Sequence, residues 1–382
     1  MSPTPVSMAS PTAPASYSWE ATNEAVSAKY GVPVEQIIRF DLNTSPAPPD
    51  LVGRILAANR FETSLSEYPP SDYRRLAEAA ALTYGVARDE ILVGAGADEI
   101  LDMAAKAFLA AGGAAVVAVP TYSMYRVVSE QRGARVIAVP RRGLAEGYAI
   151  DVAAIRAAAR DATLVWLCSP NNPTGLSEPA GAIEELLAGL AEDAGADGRP
   201  APAVVLDEAY AEFAGTTMLA LRASYPNLVV VRTASKAYAL AGLRVGFAIA
   251  RRATLERMEP YRPPGSVSTI SVTVVTAALR DQAAMIDNLD RVAAERERLG
   301  RALSEVGWGV QPSVTNFLLV SFGTPARSAR VADGLLRRGL VPRTFPADHP
   351  LAAFLRVTVR ATPENDRLID AARAIAAEEA GA

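Results

Sequence analysis

Cysteine and histidine are almost missing from this chain of 382 residues, which holds one of each, Cys168 and His349. A single cysteine rules out a disulfide within the chain, and a zinc site built from cysteine and histidine has no set of ligands to draw on. The same scarcity makes the reducing cytoplasm the expected compartment. A Ser-His-Asp or Cys-His catalyst would have to use His349, which sits in Ala347-Asp348-His349-Pro350, a turn with no nucleophile motif beside it. Long apolar runs are missing too, and none approaches the ~20 residues of a membrane-spanning helix. Positive charge is not in excess: the formal net charge is −4, which argues against nucleic acid or an anionic membrane as the main partner.

What is present is the composition of a soluble enzyme, with 50% hydrophobic and 21% charged residues in a chain long enough for two cores. Residues 1–17 contain Pro3, Pro5, Pro11 and Pro14 and read as a disordered tail, because the prolines break any apolar signal core and no basic start precedes them. Residues 18–30 predict a helix closed by Gly31.

The middle of the chain alternates apolar runs with amphipathic stretches. Strands are expected at 91–93, 115–119, 134–139, 164–168, 204–207, 228–232 and 245–250, with helices at 121–131, 152–159 and 178–194 among them. Continuous Val, Leu and Ile strands separated by helices predict an α/β fold with a mostly parallel sheet covered on both faces. After residue 250 the pattern becomes α+β, with helices at 268–279, 285–306, 326–338 and 363–378 and strands at 316–321 and 354–359. The expected division is a large domain over 61–280 and a small one over 281–382, completed by an N-terminal segment, 18–60.

Candidate chemistry gathers at the predicted strand ends, where open α/β sheets bind ligands. Gly94-Ala95-Gly96-Ala97-Asp98 joins a strand to a helix and outlines an anion cradle, with Asp98 as the expected N-cap. Tyr122 follows a strand and offers a ring for stacking. Ser169-Pro170-Asn171-Asn172-Pro173-Thr174-Gly175 places polar side chains after another. Asp207 ends a buried strand, where a carboxylate needs a cationic partner. Lys236 lies between two apolar strands, and a desolvated lysine loses its proton readily and forms Schiff bases with aldehydes.

In that order, these motifs resemble the fold type I pyridoxal-phosphate-dependent aminotransferases, in particular the histidinol-phosphate aminotransferase family. The resemblance implies pyridoxal 5'-phosphate as cofactor, with Lys236 carrying its aldehyde. It places the phosphate among Gly96, Ala97, Asp98, Ser235 and Arg244, joined by Tyr68 from a second copy across a homodimer interface. It implies that Tyr122 stacks on the ring, that Asn172 and Tyr210 hold the phenolic oxygen, and that Asp207 holds the pyridine nitrogen. Arg356, in Phe354-Leu355-Arg356-Val357, resembles the family's substrate clamp, with Arg343 as a second anion-binding arginine and Asn43 in the substrate pocket.

Here Asn43-Thr44-Ser45-Pro46 departs from the family's usual Asn-Glu-Asn-Pro. The resemblance implies histidinol phosphate and 2-oxoglutarate as amino donor and 2-oxo acid. An aromatic amino acid aminotransferase and a threonine-phosphate decarboxylase on the same fold stay open. A catalytically idle cofactor-binding protein fits poorly with Lys236, Asp207 and Arg356 all in place.

Overall fold

The computed structural model describes residues 21–381, so the expected N-terminal tail lies outside the described residues. The first helix, α1 (Asn23–Tyr30), starts under Thr22, whose hydroxyl accepts from the Ala25 N–H, and stops at Gly31, which takes φ 71°. A short strand, β1 (Ile38–Arg39), follows, and then α2 (Asp50–Ala58) and α3 (Arg74–Tyr84).

The alternation then begins, with β2 (Ile91–Gly94), α4 (Gly96–Phe108), β3 (Ala114–Val119), α5 (Met124–Gln131) and β4 (Arg135–Pro140). It continues through α6 (Val152–Ala159), β5 (Leu164–Cys168), α7 (Ala182–Ala196), β6 (Ala203–Asp207) and the short α8 (Ala211–Ala214). Strands β7 (Leu228–Thr233) and β8 (Gly246–Ile249) flank Lys236.

These strands form one seven-stranded sheet in the order β2-β8-β7-β6-β5-β3-β4. The β7, β6, β5, β3 and β4 neighbours are parallel, as the apolar runs predict. Only β8 runs against its neighbours. Its connection from β7 holds a 3-10 turn at Ala241–Leu243 and no crossover helix, so the chain turns straight back. Every residue of β5 and of β6 is buried. Val165, Leu167, Val204 and Leu206 face one apolar core, and Leu164, Trp166 and Val205 face the other.

Three expected features shift. Asp98 is not the N-cap of α4: Ala95 holds that position, and its N–H donates to Glu99 Oε2 at 2.6 Å, leaving Asp98 in the first turn. Helix α5 begins at Met124 rather than Thr121, whose hydroxyl instead donates to Asn171 Oδ1 at 2.7 Å. Helix α7 begins at Ala182 rather than Glu178, because the Glu178 carboxylate is drawn into a buried pair with Arg141 and accepts from the Ile150 N–H.

The chain goes on through α9 (Arg252–Met258) and α10 (Thr269–Arg280) to the long α11 (Ala283–Glu305). Then come β9 (Gly309–Val310), β10 (Phe317–Ser321), α12 (Pro325–Leu336), β11 (Leu340–Val341), β12 (Phe354–Thr358) and α13 (Thr362–Gly381). Strands β12, β10 and β9 make an antiparallel sheet, and β1 pairs in parallel with β11. A separate apolar core forms here, containing Ile38 and Phe40 with Val292, Leu299, Leu318 and Val357. Helix α11 joins the two regions: Met285 packs in the large-sheet core and Val292, Leu299 and Leu303 in the smaller one.

Candidate active site

A cavity of about 470 Å³ opens at the carboxyl ends of β5, β6 and β7, where the large sheet meets the N-terminal segment and β12. Twelve of the residues singled out from the sequence line it: Asn43, Ala97, Asp98, Tyr122, Asn172, Asp207, Tyr210, Ser235, Lys236, Arg244, Arg343 and Arg356. Gly96 lies just behind this wall, and Tyr68 stands apart from it, 90% exposed.

Lys236 follows β7 and points its Nζ at the backbone carbonyls of Asn43 (3.3 Å) and Leu42 (3.5 Å). Burial, reinforced by the Arg356 and Arg244 charges, pushes its pKa down to about 8 against the pull of Asp98 and Asp207. Near neutral pH roughly a tenth of the amine is therefore uncharged and nucleophilic, far more than for an ordinary lysine. Beside it, the Ser235 hydroxyl lies 2.9 Å from the Thr233 hydroxyl, and the Ser235 N–H donates to the same oxygen, which holds the turn closed.

Asp207 ends β6. Its Oδ1 accepts from the Ala209 N–H (2.9 Å) and its Oδ2 from the Tyr125 hydroxyl (2.8 Å). Burial pushes its pKa up to about 6, partly offset by these two donors and by Lys236. It is a carboxylate that a cation in the cavity would stabilise further.

At the start of α4, the Asp98 carboxylate accepts from the Tyr122 hydroxyl (3.0 Å) and pairs with Arg244 (3.1 Å). Backbones pack closely here. A Cβ on Gly246 would lie 2.4 Å from the Gly96 carbonyl carbon, and one on Gly96 would lie 2.4 Å from the Arg244 guanidinium. The start of α4, Ser235 and Arg244 thus meet at one corner of the cavity.

On the opposite wall, Arg356 donates to Asn172 Oδ1 (2.6 Å) and to the Asp41 carbonyl. Arg343 and Arg356 exchange both backbone hydrogen bonds, so two guanidinium-bearing residues enter the cavity side by side. Asn43, at φ 53°, donates from Nδ2 to the Tyr210 hydroxyl (3.0 Å). The Tyr210 ring meets Phe317 edge-on at 5.3 Å.

Tyr125 and Leu42 were not among the expected site residues, and Cys168 figured only as the lone cysteine. Tyr125 lies three residues beyond Tyr122 in the stretch expected to be helical, and that spacing was its only signal. Cys168 looks like a core residue and is one, its thiol pushed up to about 12 by burial. Together the groups can capture an aldehyde, hold a cation against a buried carboxylate and bind anions at two places.

The model of the aminotransferase class I and II family matches residues 41–375, and the chain belongs to that family. It is 35% identical over 363 residues to the histidinol-phosphate aminotransferase of Roseiflexus castenholzii, covering 92% of this chain and 93% of that one. It is 36% identical over 345 residues to the histidinol-phosphate aminotransferase of Thermococcus gammatolerans, covering 90% and 93%. Among solved structures, histidinol-phosphate aminotransferase from Sinorhizobium meliloti, in complex with pyridoxal-5'-phosphate, superposes with TM-score 0.82 and 28% identity, over 97% of this chain and 99% of that chain. The fold type I class expected from the motif order is therefore the fold observed, and the chain is an aminotransferase. Among the described residues, no helix is long and apolar enough to cross a membrane.

Proposed function

We propose that this aminotransferase uses pyridoxal 5'-phosphate to move the amino group of histidinol phosphate to 2-oxoglutarate, in the cytoplasm and as a homodimer. The observation that carries the reading is the Lys236 amine, lowered to about 8 in a cavity that also holds a buried carboxylate and two arginines. The relatives' names supply the donor.

The cofactor fits this donor set. An aldehyde suits the Lys236 amine, a phosphate suits the Ser235 and Arg244 corner, and a protonated pyridine nitrogen suits Asp207. Bound there, it would act as an electron sink for a carbanion next to the amino nitrogen. Asp207, ionised above about pH 6, would accept a hydrogen bond from the pyridine N–H and keep that proton in place. Tyr210 and Asn172 would hold the phenolic oxygen, and Tyr122 would pack against the ring. Lys236 Nζ, which lies within the cavity, would in its uncharged form take a proton from the substrate carbon and return it one position away. Arg356 and Arg343 bind the substrate anions, which would draw Arg356 from Asn172. Asn43 shapes the same wall.

The separate cores support a large domain over 61–280 and a small domain over 281–382 completed by Ile38 and Phe40 of the N-terminal segment, whereas Leu51, Val52 and Ile55 of α2 pack against the large-sheet core. The exposed Tyr68 would reach the phosphate bound in the second copy.

The test is the visible spectrum of cofactor-loaded protein titrated with histidinol phosphate, phenylalanine, tyrosine and threonine phosphate. Bleaching by histidinol phosphate alone is expected. Bleaching by the aromatic amino acids or by threonine phosphate instead would reassign the donor. A protein that shows no visible band at saturating cofactor would refute the role of Lys236.

A further inference from the structure

Behind Asp207, among the buried core residues rather than in the cavity lining, Tyr125 reaches the carboxylate. Its hydroxyl donates to Asp207 Oδ2 at 2.8 Å, while the Ala209 N–H donates to Oδ1 at 2.9 Å. Each carboxylate oxygen is thereby tied from the protein side. We infer that Tyr125 is a positioning residue for the reaction, holding the Asp207 carboxylate in the plane from which it meets a protonated pyridine nitrogen. The inference rests on the cofactor proposed above.

The phenol is itself clamped. The Tyr125 ring stacks on Trp166 with centroids 5.5 Å apart and planes 10° from parallel, and Tyr122 meets it edge-on at 5.7 Å. Trp166 Nε1 donates to Ser129 Oγ (3.0 Å), which donates to the Tyr125 carbonyl (2.7 Å). Tyr125, Ser129 and Trp166 are all 0% exposed. Water cannot replace the hydroxyl if it is removed, so the loss falls on Asp207. Burial also holds the phenol's pKa well above its ordinary value, so it stays a donor across the working pH range.

The groups acting on Asp207 come from five segments. Tyr125 on α5 and the Ala209 N–H after β6 favour its ionised form, as does Lys236 after β7. Asp98 on α4 opposes it. The Cys168 thiol on β5 and the Tyr210 phenol, both raised by burial, face it as neutral groups. Removing the Tyr125 hydroxyl therefore raises the Asp207 midpoint from about 6 and shrinks its ionised fraction below neutrality.

The test measures pyridoxal-phosphate affinity of the purified protein by absorbance, from roughly pH 5.5 to 8.5, a range that brackets the Asp207 titration. Wild type, Tyr125→Phe, Asp207→Asn and the double variant are compared, with melting temperatures alongside. Tyr125→Phe should bind about tenfold more weakly at the acid end, with a gap that narrows as pH rises. In the Asp207→Asn background it should change nothing further. The same loss at every pH, or an equal loss without the carboxylate, would reduce Tyr125 to a packing residue and overturn the inference. Should Tyr125→Phe not fold, 3-fluorotyrosine placed at 125, a stronger donor, should move the acid midpoint down, and an unmoved midpoint overturns the inference instead. A wild-type protein that binds no cofactor at any pH would remove the proposed function itself, and this inference with it.

Discussion

The two walls of the cavity are built in opposite ways. The sheet wall takes its groups from consecutive strand ends: Asn172 after β5, Asp207 at the end of β6 and Lys236 after β7. Parallel pairing aligns these ends, with Cys168 opposite Asp207 and Asp207 opposite Val231. The facing wall takes Asn43, Arg343 and Arg356 from three distant segments. It is held by contacts such as the Asn43 N–H to the Thr358 hydroxyl (2.9 Å) and the Arg343–Arg356 backbone pair. One wall inherits its geometry from strand register, and the other exists only once distant parts of the chain have met. Lys236 touches both, through its own turn on one side and the carbonyls of Leu42 and Asn43 on the other.

Replacing Lys236 by Ala should test the sheet wall most severely. Turnover should fall by roughly 10⁴-fold or more, because the proton carrier is lost. Far-ultraviolet circular dichroism should remain that of the parent, since the change removes a buried amine rather than core packing. Wild-type-like transamination by this variant would end the mechanism.

Arg356→Gln probes the facing wall. It should weaken kcat/KM for an anionic amino donor by ~100-fold, the usual consequence of removing one side of a buried charged contact. Cofactor affinity should stay within about twofold by the same logic, because that energy resides in the opposite wall. An equal loss of both would show that the walls are not separable.

Glu208→Gln sharpens the contrast within the sheet wall. Successive strand residues point to opposite sides. Asp207 faces the cavity, while Glu208 turns to Arg232 (3.3 Å), the Thr217 hydroxyl (2.6 Å) and the Met218 N–H (2.6 Å). Breaking that buried pair should lower unfolding free energy by ~3 kcal/mol in urea titration. Cofactor affinity should be little changed. A large affinity loss at unchanged stability would mean that Glu208, like Asp207, acts on the site.

The sheet wall was largely legible in the sequence because its signals are local. Ile91–Val93, Leu164–Cys168 and Leu228–Val231 are unbroken apolar runs, and the polar groups of the site follow each run within a few positions. Asp98 shows the limit of local signals. Its spacing suggested an N-cap, but Glu99 reaches back to the Ala95 N–H, and Asp98 is engaged by Tyr122 and Arg244, the latter 146 positions away. Tyr125 was illegible for the same reason, since its partner is 82 positions along the chain.

By itself, the sequence determined the α/β alternation, the order of chemical groups along the strand ends and the lysine at their centre. Hydrophobic periodicity and turn chemistry are set by neighbouring residues, and they do not depend on what the chain later packs against. Tertiary structure alone decided that Asn43 at φ 53° joins Tyr210 and Lys236, and that Tyr125 stands behind Asp207. Those contacts depend on the burial and mutual approach of residues tens to hundreds of positions apart. No local pattern carries that information, because the energy that selects it arises only when the cores close.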